Sequence, residues 1–280
     1  PEGKVWLVGA GPGDPGLVTV RGLEALRAAD VVLYDALAHP ALLDECRPDA
    51  DKRDVGKRYG TESPSQDDIN RELVACARAG KRVVRLKGGD PFMFARGSEE
   101  AEALALAGVA FEVVPGVTSP IAAAAYAGMS LTHRELSSSV TFITGSDRAG
   151  VEWSPEAWQK LATATDTICV LMGMRRIEAI SQAIIDGGRS PSTPAAGIMW
   201  GTRPEQRVIT APLERIAAEA RAAGVTNPAV IVIGEIASLR EKIRWFDARP
   251  LFGKRILVPR PKAQAAATPR AICERGGEAV

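Results

Sequence analysis

The chain is poor in the residues that build metal centres and disulfide frameworks. It has two histidines, His39 and His133, and four scattered cysteines, Cys46, Cys76, Cys169 and Cys273, with no Cys-x-x-Cys pair. That argues against a histidine-rich metal site, a structural zinc or a disulfide scaffold, so no metal is expected and a reducing compartment fits. No run approaches the roughly 20 apolar residues that cross a bilayer, and no signal peptide opens the sequence. A cytoplasmic protein with no membrane partner is expected. Strong charge of one sign is lacking too. The formal net charge is +1, which offers nucleic acid no global basic field but leaves room for a local basic cleft. The first residue is Pro1 rather than methionine, so a fragment or processed product is expected.

What is present is an ordinary soluble composition, 46% hydrophobic and 25% charged over 280 residues. At about 150 residues per domain that suits two domains. Three glycine loops stand out, each after a short apolar run. Gly9-Ala10-Gly11-Pro12-Gly13-Asp14-Pro15-Gly16 follows Val5–Val8, Lys87-Gly88-Gly89-Asp90-Pro91 follows Val83–Leu86, and Pro115-Gly116-Val117-Thr118-Ser119 follows Phe111–Val114. Open α/β sheets bind ligands beyond the carboxyl ends of their strands, and glycine lets backbone approach a ligand closely. Three such loops point to one shared pocket.

Short β-branched runs alternate with alanine-rich helical patterns, the signature of a parallel α/β architecture. Strands are expected at 4–9, 30–34, 81–86 and 111–114, with helices at 18–29, 66–79, 97–107 and 119–127. The polar stretch Arg134–Ser139 reads as a domain junction. Beyond it, strands are expected at 140–144, 167–171, 195–200, 207–210 and 229–233, and helices at 155–162, 175–186 and 212–223. The domains are therefore set at 1–136, 137–248 and 249–280. In the last, Gly253–Pro261 reads as a fresh strand opening a further unit too short for its own core.

Gly11-x-Gly13-x-x-Gly16 matches the dinucleotide fingerprint, with Asp35 near the expected acidic position. Two details oppose that reading. Pro12 and Pro15 remove backbone donors that a pyrophosphate needs, and Asp14 puts a carboxylate in the anion cradle. Gly89-Asp90-Pro91 repeats the Gly13-Asp14-Pro15 tripeptide. Either both Asp-Pro pairs start turns, or their carboxylates accept from a ribose hydroxyl or an ammonium group. A sulfonium nucleoside satisfies the second option: it lacks phosphate, is positively charged, and carries ribose hydroxyls and an amino-acid end.

Val8–Pro15 with Leu17-Val18-Thr19, Tyr34-Asp35, Val55-Gly56-Lys57-Arg58, the run Arg85–Glu100, Val114–Ser119 and Ala127–Arg134 occur in the order found in one family. Together they resemble the tetrapyrrole methylase family, over about residues 3 to 247. The resemblance implies an α/β fold of two domains, with S-adenosylmethionine in the cleft between them, usually as a homodimer. It implies methylation of uroporphyrinogen III at C2 and C7, giving precorrin-2 and S-adenosylhomocysteine. Implied cofactor contacts are Pro12, Gly88, Gly89, Asp90, Met93, Thr118, Ser119, Met172 and Gly201. Leu171-Met172-Gly173 and Ser146 depart from the usual tyrosine and histidine of the family.

Asp35 resembles the family's proton acceptor and Lys57 its donor. Asp35 otherwise caps the following turn, and Lys57 is equally a solvated charge or a partner for a substrate carboxylate. The eight carboxylates of the substrate call for basic residues at the entrance, and Arg58, Lys87, Arg96 and Arg134 are candidates by motif position. His133 reads as a packed or hydrogen-bonded residue, and Met93 and Met172 could instead fill core space. The tail from Gly253 resembles the start of a uroporphyrinogen-III synthase domain, so a fused methylase–synthase parent is expected. The rival readings are another precorrin methyltransferase of cobalamin synthesis, an enzyme of this fold acting on RNA ribose or protein histidine, and a non-catalytic S-adenosylmethionine-binding module.

Overall fold

A computed structural model describes residues 3–56, 63–145, 153–259 and 267–280. The chain divides into two compact units, Pro1–Ser119 and Pro120–Val280.

The first unit is a parallel sheet of β1 (Lys4–Gly9), β2 (Val31–Tyr34), β3 (Asp51–Asp54), β4 (Arg82–Lys87) and β5 (Ala110–Val114), in the spatial order β3-β2-β4-β1-β5. Its helices are α1 (Val20–Ala28), α2 (Gln66–Arg78) and α3 (Gly97–Leu106). Both faces of the central strands are covered, which is why they read as continuous apolar runs. Val8, Val32, Val84 and Leu86 pack with Ala25 and Leu26 of α1. Val5, Leu7, Leu33 and Val83 pack with Ile69 and Leu73 of α2 and Leu104 of α3. Thr19 caps α1 through Gly22 N, and Ser65 and Asp68 form a reciprocal capping box on α2.

Strand β3 is an addition to the expected elements. Asp-Lys-Arg-Asp has no apolar residue to signal a strand, yet it pairs with β2 as an edge. Edge strands tolerate this because charge there discourages pairing with other chains.

At the opposite edge, Glu112 of β5 accepts from Lys4 Nζ at 2.8 Å, Trp6 Nε1 at 3.2 Å and Arg21 Nε at 2.8 Å. The Arg21 and Lys4 hydrogen bonds hold its carboxyl down to about 2. The folded value is depressed, so the stabilisation is full above about pH 4.5 and is lost as pH falls toward 2. Chemical denaturation of the Glu112→Gln variant checks this. The wild type should be the more stable at pH 7, with the gap closing by about pH 2; a gap independent of pH would refute it.

The second unit carries α4 (Ser119–Tyr126), β6 (Val140–Thr144), α5 (Pro155–Ala162), β7 (Thr167–Leu171), α6 (Ile177–Asp186), β8 (Pro194–Met199), β9 (Arg207–Pro212), α7 (Ile216–Ala222) and β10 (Ala229–Ile233). The sheet order is β6-β7-β10-β8-β9. Only β6–β7 is parallel; β10 runs against β7 and β8, and β9 against β8. The all-parallel expectation therefore holds for the first sheet alone. The turn between β8 and β9 is too short for a crossover, so they form an antiparallel pair. Ile168, Val170, Ile231 and Ile233 face Trp158, Ile180, Ile184 and Ile216. Cys169, Val230 and Val232 face Ala123, Ala124 and Ala127 on the other side. Small alanines on α4 explain why it beds on this sheet. The polar stretch 134–139 lies within this unit, where His133 and Ser137 bridge.

After a short α8 (Arg240–Ile243), Tyr126, Trp245, Phe246 and Phe252 form an aromatic cluster of edge-on and tilted contacts, with centroids 4.8 to 5.7 Å apart. Beyond them β11 (Arg255–Ile256) pairs in parallel with β12 (Glu278–Ala279), with α9 (Ala267–Glu274) between them in sequence.

Candidate active site

The strand order of the first sheet sets β4, β1 and β5 side by side. The three glycine loops leave the same sheet edge in adjacent positions, and their backbones meet. Gly11 N donates to Gly89 O at 3.1 Å and Gly89 N to Gly11 O at 2.8 Å. A Cβ on Gly9 would lie 2.5 Å from Gly116 Cα and 2.7 Å from Gly89 O; one on Gly116 would lie 2.3 Å from Gly89 O. No side chain fits at either position.

Gly89 differs. It holds φ +69°, a conformation that favours glycine, and the nearest atoms to a Cβ there are Ser119 N and Thr118 Cα, both at 3.8 Å. Backbone at Gly89 thus lies against Thr118 and Ser119, at the start of α4, at ordinary van der Waals distance and without a clash. Gly88 is bounded by Leu37 Cβ at 3.1 Å. Of the expected cofactor residues, Gly88, Gly89, Thr118 and Ser119 are brought together here, and Pro12 is half-buried in the adjoining first loop.

Asp90 takes the first of the two alternatives and starts a turn. Its Oδ1 accepts from Phe92 N at 2.8 Å and Met93 N at 3.1 Å, and its Oδ2 from Gly116 N at 3.0 Å. The carboxylate ties the second loop to the third and uses three amides that a phosphate would have needed. Asp14 likewise takes Gly16 N at 2.8 Å. The site is closed to a diphosphate by its own carboxylates, which strengthens the case against the dinucleotide fingerprint.

The loop after Asp90 is held closed by Gly97 N donating to Pro91 O at 3.0 Å, with Phe94 and Arg96 at φ +54° and +59°. Strained non-glycine residues of this kind persist where surrounding structure enforces them, and they gather at ligand sites. Phe92, Met93 and Phe94 are exposed at 53%, 38% and 44%. Met93 is thus no core filler; it belongs to an apolar surface flanking the glycine loops.

Asp35 follows β2 directly, and Arg85 Nη2 stands 2.5 Å from its Oδ1. Behind them lies a buried ionic row. Arg85 Nε reaches Glu100 Oε1 at 3.0 Å and Lys87 Nζ reaches the same oxygen at 2.9 Å. Arg85, Lys87 and Glu100 are 3%, 2% and 0% exposed. Burial, reinforced by the charge of Arg85, pushes the Lys87 ammonium below its usual range, against the pull of Glu100 and Asp35. Lys87 was expected at a substrate entrance, and the structure corrects that: in β4 it alternates with Leu86, points with Val83 and Arg85 toward α2 and α3, and is spent on Glu100.

Of the other basic candidates, Arg96 is exposed and its Nε pairs with Glu99 at 2.9 Å, and Arg134 is exposed. Lys57, Arg58 and Ser146 lie outside the described residues. His133 accepts from Glu135 N at 3.2 Å through Nδ1, and His39 from Ala41 N at 3.1 Å, so both serve as turn caps. No group of three metal-ligating side chains occurs among the described residues.

In the second unit β6, β7 and β8 all run the same way, so the loops after them share one sheet edge. Met172, after β7, is 58% exposed at φ +55°. Gly201, after β8, sits between Trp200 and Thr202, which hold φ +50° and +75°, and a Cβ on it would meet Ala123 Cβ at 2.6 Å. The row Arg85–Glu100–Lys87 was missed from sequence. Two signals pointed to it: charge on the inward positions of a central strand, and Glu100 on the buried Gly97–Glu100–Ala101–Leu104 stripe of α3.

Residues 4–217 match the tetrapyrrole (corrin/porphyrin) methylases. Siroheme synthase 1 of Yersinia enterocolitica is 50% identical over 249 residues, 89% of this chain and 52% of that protein. The chain thus spans about half the length of the siroheme synthases it matches. A uroporphyrinogen-III C-methyltransferase of a Sinorhizobium species is 47% identical over 247 residues, 88% of each chain. The crystal structure of Thermus thermophilus uroporphyrin-III C-methyltransferase with S-adenosylhomocysteine superposes at a TM-score of 0.71, with 38% identity, covering 84% of this chain and 99% of that one. By the extent of that match, and by its α/β fold, the chain belongs to the tetrapyrrole methylase family.

Proposed function

We propose that the chain transfers methyl groups from S-adenosylmethionine to C2 and C7 of uroporphyrinogen III, giving precorrin-2. The observation that carries the reading is the pairing, on one sheet edge, of a phosphate-excluding glycine cradle with a carboxylate fixed by arginine. The named activity of the Sinorhizobium relative, matched along 88% of both chains, supports the substrate. The S-adenosylhomocysteine complex of the Thermus relative supports the co-substrate.

The residues present fit such a nucleoside. Backbone at Gly88, Gly89 and Ser119, with Thr118 and Pro12, would hold it, Asp90 would brace the loop, and Met93 would supply apolar contact. When bound, it supplies a methyl group activated by a sulfonium. The protein's contribution is first positional, since displacement at a methyl needs in-line approach. Asp35 then faces the positive charge that develops on the macrocycle, which its carboxylate stabilises or relieves by accepting a proton. Lys57 is kept as the proton donor. Arg58, Arg96 and Arg134 are assigned to the substrate's carboxylates, with Arg96 exchanging Glu99 for substrate.

A cytoplasmic homodimer is part of this proposal. No described helix is long and apolar enough to cross a membrane. The tail is assigned to the opening of a uroporphyrinogen-III synthase-like domain, and the parallel β11–α9–β12 unit supports that. Competition between uroporphyrinogen III and a later, ring-methylated precorrin for labelled methyl transfer tests the substrate. Uroporphyrinogen III should be methylated preferentially; preference for the later precorrin would move the chain to a subsequent step.

A further inference from the structure

Three ionised groups with almost no exposure are costly to bury, and their arrangement is directional. Glu100 Oε1 receives Arg85 Nε at 3.0 Å, Lys87 Nζ at 2.9 Å and Gln66 Nε2 at 3.2 Å, while Glu100 Oε2 is buried without a partner. All donors crowd one oxygen. The guanidinium of Arg85 is gripped on its Nε edge by Glu100 and on Nη1 by the carbonyls of Leu33 and Leu86 at 3.4 and 3.3 Å. Only Nη2 is turned outward, and it meets Asp35 at 2.5 Å. Register explains the alignment. Leu33 of β2 pairs with Arg85 of β4, so Asp35 and Lys87 continue the same inward row beyond them. Glu100 stands in the first turn of α3, where the helix dipole favours a carboxylate.

We propose that Lys87 and Glu100 are positioning residues for the reaction: together they lock Arg85 so that its Nη2 fixes the rotamer of the Asp35 carboxylate. This rests on the reading of Asp35 as the residue that faces the substrate. A buried pair kept only for stability is replaceable by a neutral pair of similar volume with little loss. A pair that aims another group is not, because small misplacements at a reacting centre cost orders of magnitude in rate.

The test compares Glu100→Ala, the double variant Lys87→Met/Glu100→Gln, and Asp35→Asn, by thermal unfolding, S-adenosylhomocysteine affinity, kcat and KM. Glu100→Ala strips buried Lys87 of its carboxylate and leaves Arg85 with Asp35 alone, so it should unfold readily. The double variant removes one charge of each sign, so its melting temperature and cofactor affinity should return to near wild type. Its kcat should stay about 10- to 100-fold low with KM unchanged, because groups this buried cannot touch substrate. A double variant with wild-type kcat would overturn the proposal, leaving the pair a structural one. So would parallel loss of kcat, KM and cofactor affinity, which marks general damage. Wild-type activity in Asp35→Asn would instead bring down the reading of Asp35, and the positioning role with it.

Discussion

Replacing Gly116 by alanine should cost the first unit about 3 kcal/mol and weaken S-adenosylhomocysteine binding by more than about tenfold. A methyl there would lie 2.3 Å from Gly89 O and 2.7 Å from Gly9 Cα. Those neighbours are backbone of two other strands' loops, so no side chain can swing aside. The loops must part, and the hydrogen bonds Gly11 N to Gly89 O and Gly116 N to Asp90 Oδ2 go with them. Gly16→Ala is the matched control in the same loops: its Cβ would meet only the Asp14 side chain, at 3.1 Å. Thermal unfolding and calorimetric titration read both effects. Wild-type affinity and stability in Gly116→Ala would mean that the three loops do not share one site.

The second large effect is expected at Asp35. Asparagine keeps the volume and a hydrogen bond to Arg85 but removes the charge and the proton-accepting capacity. Turnover should fall by about 100-fold or more, the range lost with a general acid–base group. Cofactor affinity should hold, because the loops that would bind it are braced by Asp90 instead. Arg85 would then be left in a buried setting with one anion fewer, so a modest drop in melting temperature should accompany the loss. Equal falls in turnover and cofactor affinity would assign Asp35 to loop structure.

The sequence disclosed those parts of the molecule where burial imposes a pattern. Runs such as Val83–Leu86 and Ala229–Ile233 are apolar because both sheet faces are covered, and the strands lie where those runs do. The glycine loops were legible for the same kind of reason, since backbone contact at Gly9 and Gly116 admits no Cβ and Gly89 holds a φ of +69° that favours glycine. Asp51–Asp54 was not legible, because an edge strand can be held by backbone pairing alone. Nor were the partners of Asp90 and Lys87. Sequence shows a carboxylate or an ammonium; which group it satisfies depends on strand order and register. Asp90 meets Gly116 only because β1 lies between β4 and β5, and Lys87 meets Glu100 only because α3, packed against α2 and β5, sends the Glu100 side chain back to β4.

Anaerobic incubation of the protein with S-adenosylmethionine and uroporphyrinogen III, followed by the mass of the product, decides whether the chain performs this methylation, with the Asp35→Asn variant run beside it. The wild type should give a product heavier by two methyl groups, and the variant almost none despite intact cofactor binding. An unchanged uroporphyrinogen III, from a wild-type protein that binds the cofactor tightly, would contradict the proposed methylation.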